Sequence, residues 1–348
     1  MESQIRDKNF IVETNISREG LKYYDIEECK EMVLYGVKLI DGRYRRLPEE
    51  LAKCVNECVD EMHDRPAGGR VKFITNSPYI AIHAKTVNVL IMNHFPTTGS
   101  TGMDLYGGTR YYGTYVPSSN FETAYESVID LDGEEREYTI NLPLYSGLTR
   151  LYVGIKEGCT LKAPVPYRLD KPVVYYGSSI TQGACASRPG CAYQAILTRE
   201  LNIDHINLGF SGGARGEDPI IDHIANLEMS AFVCDYDHNA PTVDVLRATH
   251  EKLYRAVRNN HPDIPILFLS RPKFYLNKDE KMRLEIIKTT YERALSEGDK
   301  NVYFIPGPDL INEQVRECCL VDNCHPTDAG FVSMAYAILP TLKKMLSL

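Results

Sequence analysis

The chain predicts a two-part protein: an antiparallel β-sandwich with an early helix over residues 1–165, then a three-layer α/β domain over residues 166–348. Three observations carry this. The length of 348 residues exceeds what one ordinary core organises. Composition changes at Ala163-Pro164-Val165-Pro166-Tyr167-Arg168-Leu169-Asp170-Lys171-Pro172, a stretch with the punctuation of a linker. Beyond it, short apolar runs alternate with helix-length segments, the pattern of a parallel sheet covered on both faces.

In the first part, residues of about 70 to 160 are rich in β-branched and aromatic side chains punctuated by glycine. Tyr79-Ile80-Ala81-Ile82-His83-Ala84 alternates, and Val87-Asn88-Val89-Leu90-Ile91-Met92 continues as a further strand candidate. Such strands imply a sandwich. Before them, Leu47, Leu51, Cys54, Val55 and Cys58 recur at helical spacing and predict one helix over 47–62, packed on that sandwich.

In the second part the strand candidates are residues 173–177, 204–209, 230–235, 264–270 and 301–305. In open α/β sheets, ligands sit at the carboxyl ends of strands, so the loops that follow these runs are where chemistry belongs. The first strand breaks abruptly into Gly177-Ser178-Ser179-Ile180-Thr181-Gln182-Gly183. The second ends in Asn207-Leu208-Gly209-Phe210-Ser211-Gly212-Gly213, the third in Asp235-Tyr236-Asp237-His238-Asn239. Near the C-terminus stands Asp322-Asn323-Cys324-His325-Pro326, with Pro326 expected to open the closing helix.

An aspartate three residues before a histidine can turn its carboxylate onto the imidazole Nδ1 and leave Nε2 to take a serine proton. Oxyanion stabilisation needs donors aimed where charge develops. The N–H groups of Ser179 and Gly209 and the amide of Asn239 could supply three. Taken alone, Ser179 reads equally as a helix N-cap, and Gly209 and Asn239 as turn residues. Gly209-Phe210-Ser211-Gly212-Gly213 also matches the Gly-x-Ser-x-Gly elbow, which makes Ser211 a rival nucleophile.

These blocks resemble the SGNH or GDSL hydrolases, serine esterases on a flavodoxin-like three-layer α/β/α domain; the resemblance covers about 173–348. It implies Ser179 as nucleophile, Gly209 and Asn239 as further oxyanion-hole residues, and His325 with Asp322 as base and orienting partner. Two departures stand out: Ser178 replaces the usual Asp, and Asp237-His238-Asn239 replaces Gly-x-Asn-Asp. Gly102-Met103-Asp104-Leu105-Tyr106 is similar to the Gly-x-Asp-Leu-Tyr signature of a jelly-roll-like β-sandwich fused ahead of one GDSL branch. Asp104, Tyr106 and Arg110, among Tyr111, Tyr112 and Tyr115, are then candidates for binding substrate at the mouth of the site. Arg271 is a further candidate clamp, with a surface ion pair as its bland alternative.

The resemblance implies a carboxylic ester hydrolase acting through an acyl-enzyme on short, acetyl-like esters, with a small-molecule or oligosaccharide ester as substrate. Acyl transfer and non-catalytic carbohydrate binding are the alternatives. A net charge of -8 argues against nucleic acid or an anionic membrane as partner. A homo-oligomer stays possible, no cofactor is called for, and no paired Cys-x-x-Cys accompanies Cys318, Cys319, Cys324 and His325 to suggest a required metal. The charged Met1–Lys8 segment lacks a secretory h-region, so a cytoplasmic protein with reduced cysteines is expected.

Overall fold

The structure, a computed structural model, describes residues 14–118 and 121–348; the Met1–Lys8 segment, on which the localisation expectation rests, lies outside the described residues. Two antiparallel sheets form the first part. One runs in the order Leu21–Asp25, Gly147–Lys156, Tyr79–Val87, Ala124–Asp130. The other runs Leu161–Lys162, Arg70–Thr75, Arg136–Asn141, Met103–Gly107, Arg110–Tyr115, with Val33–Tyr35 also paired to Arg70–Thr75. Their inward faces meet in one core. Ile80, Ile82, Leu151 and Val153 come from the first sheet, and Val71, Phe73, Leu105 and Ile140 from the second. The alternation in 79–84 is thus the inside and outside of a sandwich strand.

Two expectations here are corrected. The strand at Tyr79 ends at Val87, because Asn88 turns the chain with a φ of 51°. Asparagine tolerates that left-handed region better than most residues, and beyond it only an isolated Met92–Phe95 bridge remains of the predicted run. The single helix over 47–62 is two, Glu49–Val55 and Glu57–Met62. Asn56 stands extended between them and its side-chain oxygen accepts from the N–H groups of Cys58 and Val59, both at 3.0 Å. A cap of this kind is worth about 1 kcal/mol, enough to restart a short helix. Its amide donates to the Gly213 carbonyl and to Glu217, so the pair packs on the α/β core and not on the sandwich.

The second part is a five-stranded parallel sheet in the order His205–Gly209, Val173–Gly177, Ala231–Asp235, Ile266–Leu269, Val302–Ile305. These strands are the predicted ones, trimmed by a residue or two at their ends. Every residue of Val173–Gly177 and Ala231–Asp235 is buried, as a sheet covered on both faces requires. Helices Tyr193–Leu201 and Asp328–Leu346 pack together, with Tyr193 stacked on Phe331. Asp218–Ala225, Val243–Asn260 and Lys278–Ser296 form the other layer. The order in sequence, 2-1-3-4-5, reverses direction between the first and third strands, which is where such sheets open a crevice.

The closing helix begins at Asp328, two residues later than expected. Thr327 caps it by accepting from the Gly330 N–H, and Pro326 lies before the cap, bridged to Leu320. Threonine offers a cap oxygen that proline lacks.

The two parts are bound through buried polar contacts. Arg46 is fully sequestered, donating to the carbonyls of Met62, Arg65, Asn207 and Gly209 with the Phe210 ring 4.4 Å from its guanidinium. Arg70, 1% exposed, pairs with Asp204 and reaches the His205 carbonyl. Gly68 and Gly99 allow the backbones to close: a Cβ on Gly68 would meet Asn207, and one on Gly99 the Ala186 carbonyl.

Candidate active site

At the end of the first strand the chain must turn within one residue of Asp235. Any side chain on Gly177 would strike Thr181 and the Asp235 carbonyl, so only glycine fits. The Ser178 N–H continues the pairing to the Asp235 carbonyl at 3.1 Å, and its hydroxyl caps the short helix Ser179–Gln182 by accepting from the Ile180 N–H. The cap is therefore Ser178, the residue that replaces the aspartate usual in the hydrolases this chain resembles. This leaves the Ser179 hydroxyl free of capping and its N–H, the first of the helix, without an intramolecular partner among the described residues.

The Ser179 Oγ lies 2.9 Å from His325 Nε2. On the other side of the ring, Nδ1 lies 2.7 Å from Asp322 Oδ2. The second Asp322 oxygen accepts from the N–H groups of Cys324 at 3.1 Å and His325 at 2.7 Å, while Asn323 adopts a φ of 64° and the Val321 N–H donates to the His325 carbonyl. The loop is folded around its own carboxylate. Partial burial works to raise the Asp322 carboxyl. The hydrogen bonds from the backbone and imidazole of His325 outweigh it and hold the group below the usual carboxylate range. An ionised Asp322 fixes the proton on Nδ1 and presents Nε2 as an acceptor to Ser179.

Ser211 is placed differently. Its N–H donates to Gln182 Oε1 at 2.9 Å and its side chain meets the Tyr145 hydroxyl; no histidine pairs with it among the described residues. Tyr145, brought from the first part, also reaches the Ser179 carbonyl at 3.4 Å.

The predicted donors divide. Gly209 is buried against the Thr181–Gln182 backbone, and its N–H is occupied by Asn207 Oδ1 at 2.8 Å, which removes it as an oxyanion donor. In the same loop the Gly212 N–H has no intramolecular partner among the described residues, and Gly212 holds a φ of 70° that glycine alone adopts cheaply. The N–H left free at this strand end is thus that of Gly212, three residues beyond the expected Gly209. Asn239 follows the third strand, its N–H donating to the Tyr236 carbonyl at 3.0 Å; among the described residues its buried side-chain oxygen and its amide nitrogen have no partner. Beside it, buried His238 pairs with Asp237 at 3.0 Å, and its Nε2 has no partner among the described residues.

The candidates from the Gly-x-Asp-Leu-Tyr signature do not form a substrate mouth. Asp104, 0% exposed, accepts from Asn141 Nδ2 at 2.7 Å, the Gly190 N–H at 2.8 Å and Arg188 at 3.0 Å. Tyr106 is buried too, its hydroxyl bonded to Arg188 and its ring 3.9 Å from the Arg199 guanidinium. Arg110 lies exposed over Tyr112, and Tyr115 is in the sandwich core. Here the signature locks the sandwich to the loop 188–190, and every oxygen of its carboxylate is already engaged. Arg271 binds Glu280, itself 3% exposed, at 3.2 Å, so its charge is paired. A groove of about 780 Å³ between Val243–Asn260 and Lys278–Ser296 contains none of the residues discussed here.

Sequence reading missed His94. Phe95 packs edge-on against Tyr145 in the α/β core, which carries the preceding His94 to the site: its Nε2 is 3.8 Å from Asp322 Oδ2, and its ring centroid is 5.7 Å from that of His325. The sandwich part therefore lines the site. A lone histidine in Asn93-His94-Phe95-Pro96 gives no sequence signal of this. All ten cysteines are unpaired, and no described helix is long and apolar enough to cross a membrane.

Comparison with known proteins agrees with this architecture. A family model described as the GDSL-like lipase/acylhydrolase family matches residues 170–343, and the GxDLY model, the N-terminus of Esterase_SGNH_hydro-type, matches residues 21–161. Among solved structures, one described as a GDSL-like lipase from Bacteroides ovatus is similar at 28% identity and a TM-score of 0.83, covering 94% of this chain and 98% of its own. The salicylyl-acyltransferase SsfX3 of a tetracycline biosynthetic pathway shares the fold at 19% identity and a TM-score of 0.77, again covering 94% and 98%. An acetyl xylan esterase of the rumen bacterium Butyrivibrio proteoclasticus does so at 12% identity and a TM-score of 0.61, covering 94% and 99%. The comparison with curated proteins finds no match. With a parallel sheet ordered 2-1-3-4-5, a serine, histidine and aspartate in hydrogen-bonded sequence at its strand ends, and a family match spanning half its length, the chain belongs to the GDSL-like lipase/acylhydrolase family.

Proposed function

We propose that the protein hydrolyses short-chain esters, acetyl esters of carbohydrates foremost, through an acyl-enzyme on Ser179. The observation that carries this is the continuous chain Ser179 Oγ, His325 Nε2, His325 Nδ1, Asp322 Oδ2, at 2.9 and 2.7 Å. His325 takes the serine proton as Oγ attacks the ester carbonyl, and the negative charge forming on the carbonyl oxygen meets the N–H groups of Ser179 and Gly212 and the Asn239 amide. The tetrahedral species collapses as His325 returns the proton to the departing alcohol. Water, deprotonated by the same imidazole, then releases the acid.

Ser179 is only 6% exposed, which favours a small acyl group over a long chain. The fold shared with the acetyl xylan esterase supports a sugar as the alcohol. A series of 4-nitrophenyl esters alongside acetylated xylo-oligosaccharides tests both halves: kcat/KM should peak at acetyl and acetate should be released from the sugar. A preference for long chains would overturn the substrate class. A second reading, acyl transfer to an acceptor alcohol, is favoured by the fold shared with the salicylyl-acyltransferase. A new ester formed in place of free acid when an acceptor is added would establish it.

A further inference from the structure

Beside the proton-transfer chain stand two side chains, His94 and Cys185, that take no part in the proposed hydrolysis. His94, Cys185 and His325 bring one ligand atom each to within 4.8 Å of one another. They come from three places: the loop of the sandwich part, the turn after Ser179–Gln182, and the Asp322–His325 loop. Cys185 is 7% exposed and holds a φ of 73°. A non-glycine residue in that region costs on the order of 1 kcal/mol, and such strain collects at functional positions. His94 is held there by Phe95, buried in the neighbouring core.

We propose that these three residues capture Zn²⁺ and that its binding switches the enzyme off. The inhibitory half rests on the hydrolytic reading above; the binding half does not. Two imidazoles and a thiolate with one open position suit zinc, whose bonds of about 2.0–2.1 Å to nitrogen and 2.3 Å to sulfur put neighbouring ligands roughly 3.3–3.6 Å apart. Side-chain rotations of about an ångström close the difference from the present spacing. Asp322 occupies His325 Nδ1, so Nε2 is the atom offered to the metal. The zinc takes the lone pair that otherwise accepts the Ser179 proton, and the serine loses its base. Cys185 gives its thiol proton to solvent as the Zn–S bond forms, both histidines bind as neutral imidazoles, and nothing is oxidised or reduced.

The test uses the full chain with Co²⁺ as a spectroscopic probe and Zn²⁺ as inhibitor of 4-nitrophenyl acetate turnover. The expected result is a thiolate-to-cobalt charge-transfer band in wild type and in Ser179→Ala, absent from Cys185→Ser and Cys185→Ala, with far-UV circular dichroism confirming that each variant is folded. Zn²⁺ should inhibit reversibly on chelation. Against each variant's own metal-free rate, half-inhibition should need roughly tenfold or more Zn²⁺ in His94→Ala and Cys185→Ser. A missing band at saturating Co²⁺, or a band unchanged by removing Cys185, overturns the site. Zinc that abolishes the band by displacement and leaves turnover intact overturns the switch. Because Ser179→Ala reads binding without catalysis, a Cys185-dependent band in a protein lacking esterase activity would fail the hydrolytic reading alone.

Discussion

Two of the contacts between the sandwich part and the α/β part have opposite character. Around Asp104 the contact is closed: a fully buried carboxylate with each oxygen engaged, and Tyr106 stacked beside two arginines. Around His94 it is open: the imidazole is 38% exposed and stands near Asp322, itself 35% exposed, with no short bond to it. Buried and satisfied groups specify how parts assemble, while exposed and unsatisfied ones remain available to a substrate or ion. The comparison predicts that substitutions at the open end change turnover and leave the fold intact, and that substitutions at the closed end do the reverse.

The largest effect belongs to Ser179→Ala. Turnover should fall by about a million-fold, with a thermal transition close to wild type, in a kcat and calorimetry comparison. Asp322→Asn should lose about ten-thousand-fold in kcat, since the proton on Nδ1 is no longer fixed. The same variant has a pH signature. A carboxyl held below its unfolded value of about 3.9 contributes stability above that value, which is lost as pH falls through the folded value. The small gap in transition temperature between wild type and Asp322→Asn at neutral pH should therefore close below about pH 4. On the proposed role of its amide as an oxyanion donor, Asn239→Ala should lower kcat by about 100- to 1000-fold with little change in KM. At the closed end, Asp104→Ala should leave kcat per folded molecule unchanged and cost about 2–3 kcal/mol in denaturant unfolding. That is below the full price of a broken buried pair, because Arg188 keeps 21% of its surface in water. A large loss of kcat with normal stability in that variant would break the comparison.

The same contrast explains what the sequence made legible. The parallel sheet could be read strand by strand because its strands are short, largely apolar runs separated by helix-length segments. The Ser179 turn and the Asp322–His325 loop could be read because their hydrogen bonds are local, spanning two to three residues. Long-range contacts left no such trace. Asp104 pairs with residues 37 and 84 positions away, and nothing local separates a buried staple from a binding residue. The break at Asn56 depends on Gly213 and Glu217 across the molecule, and His94 reaches the site only because Phe95 finds a pocket in the other core. Nor does the sequence show that Asn207 occupies the Gly209 N–H.

Covalent trapping tests the central claim most directly. A fluorophosphonate should add once to the protein, seen by intact mass with loss of fluoride, and peptide mapping should locate the adduct on Ser179. It should be absent from Ser179→Ala and retained in Ser211→Ala. An adduct that persists in Ser179→Ala, or maps to Ser211, would contradict the account.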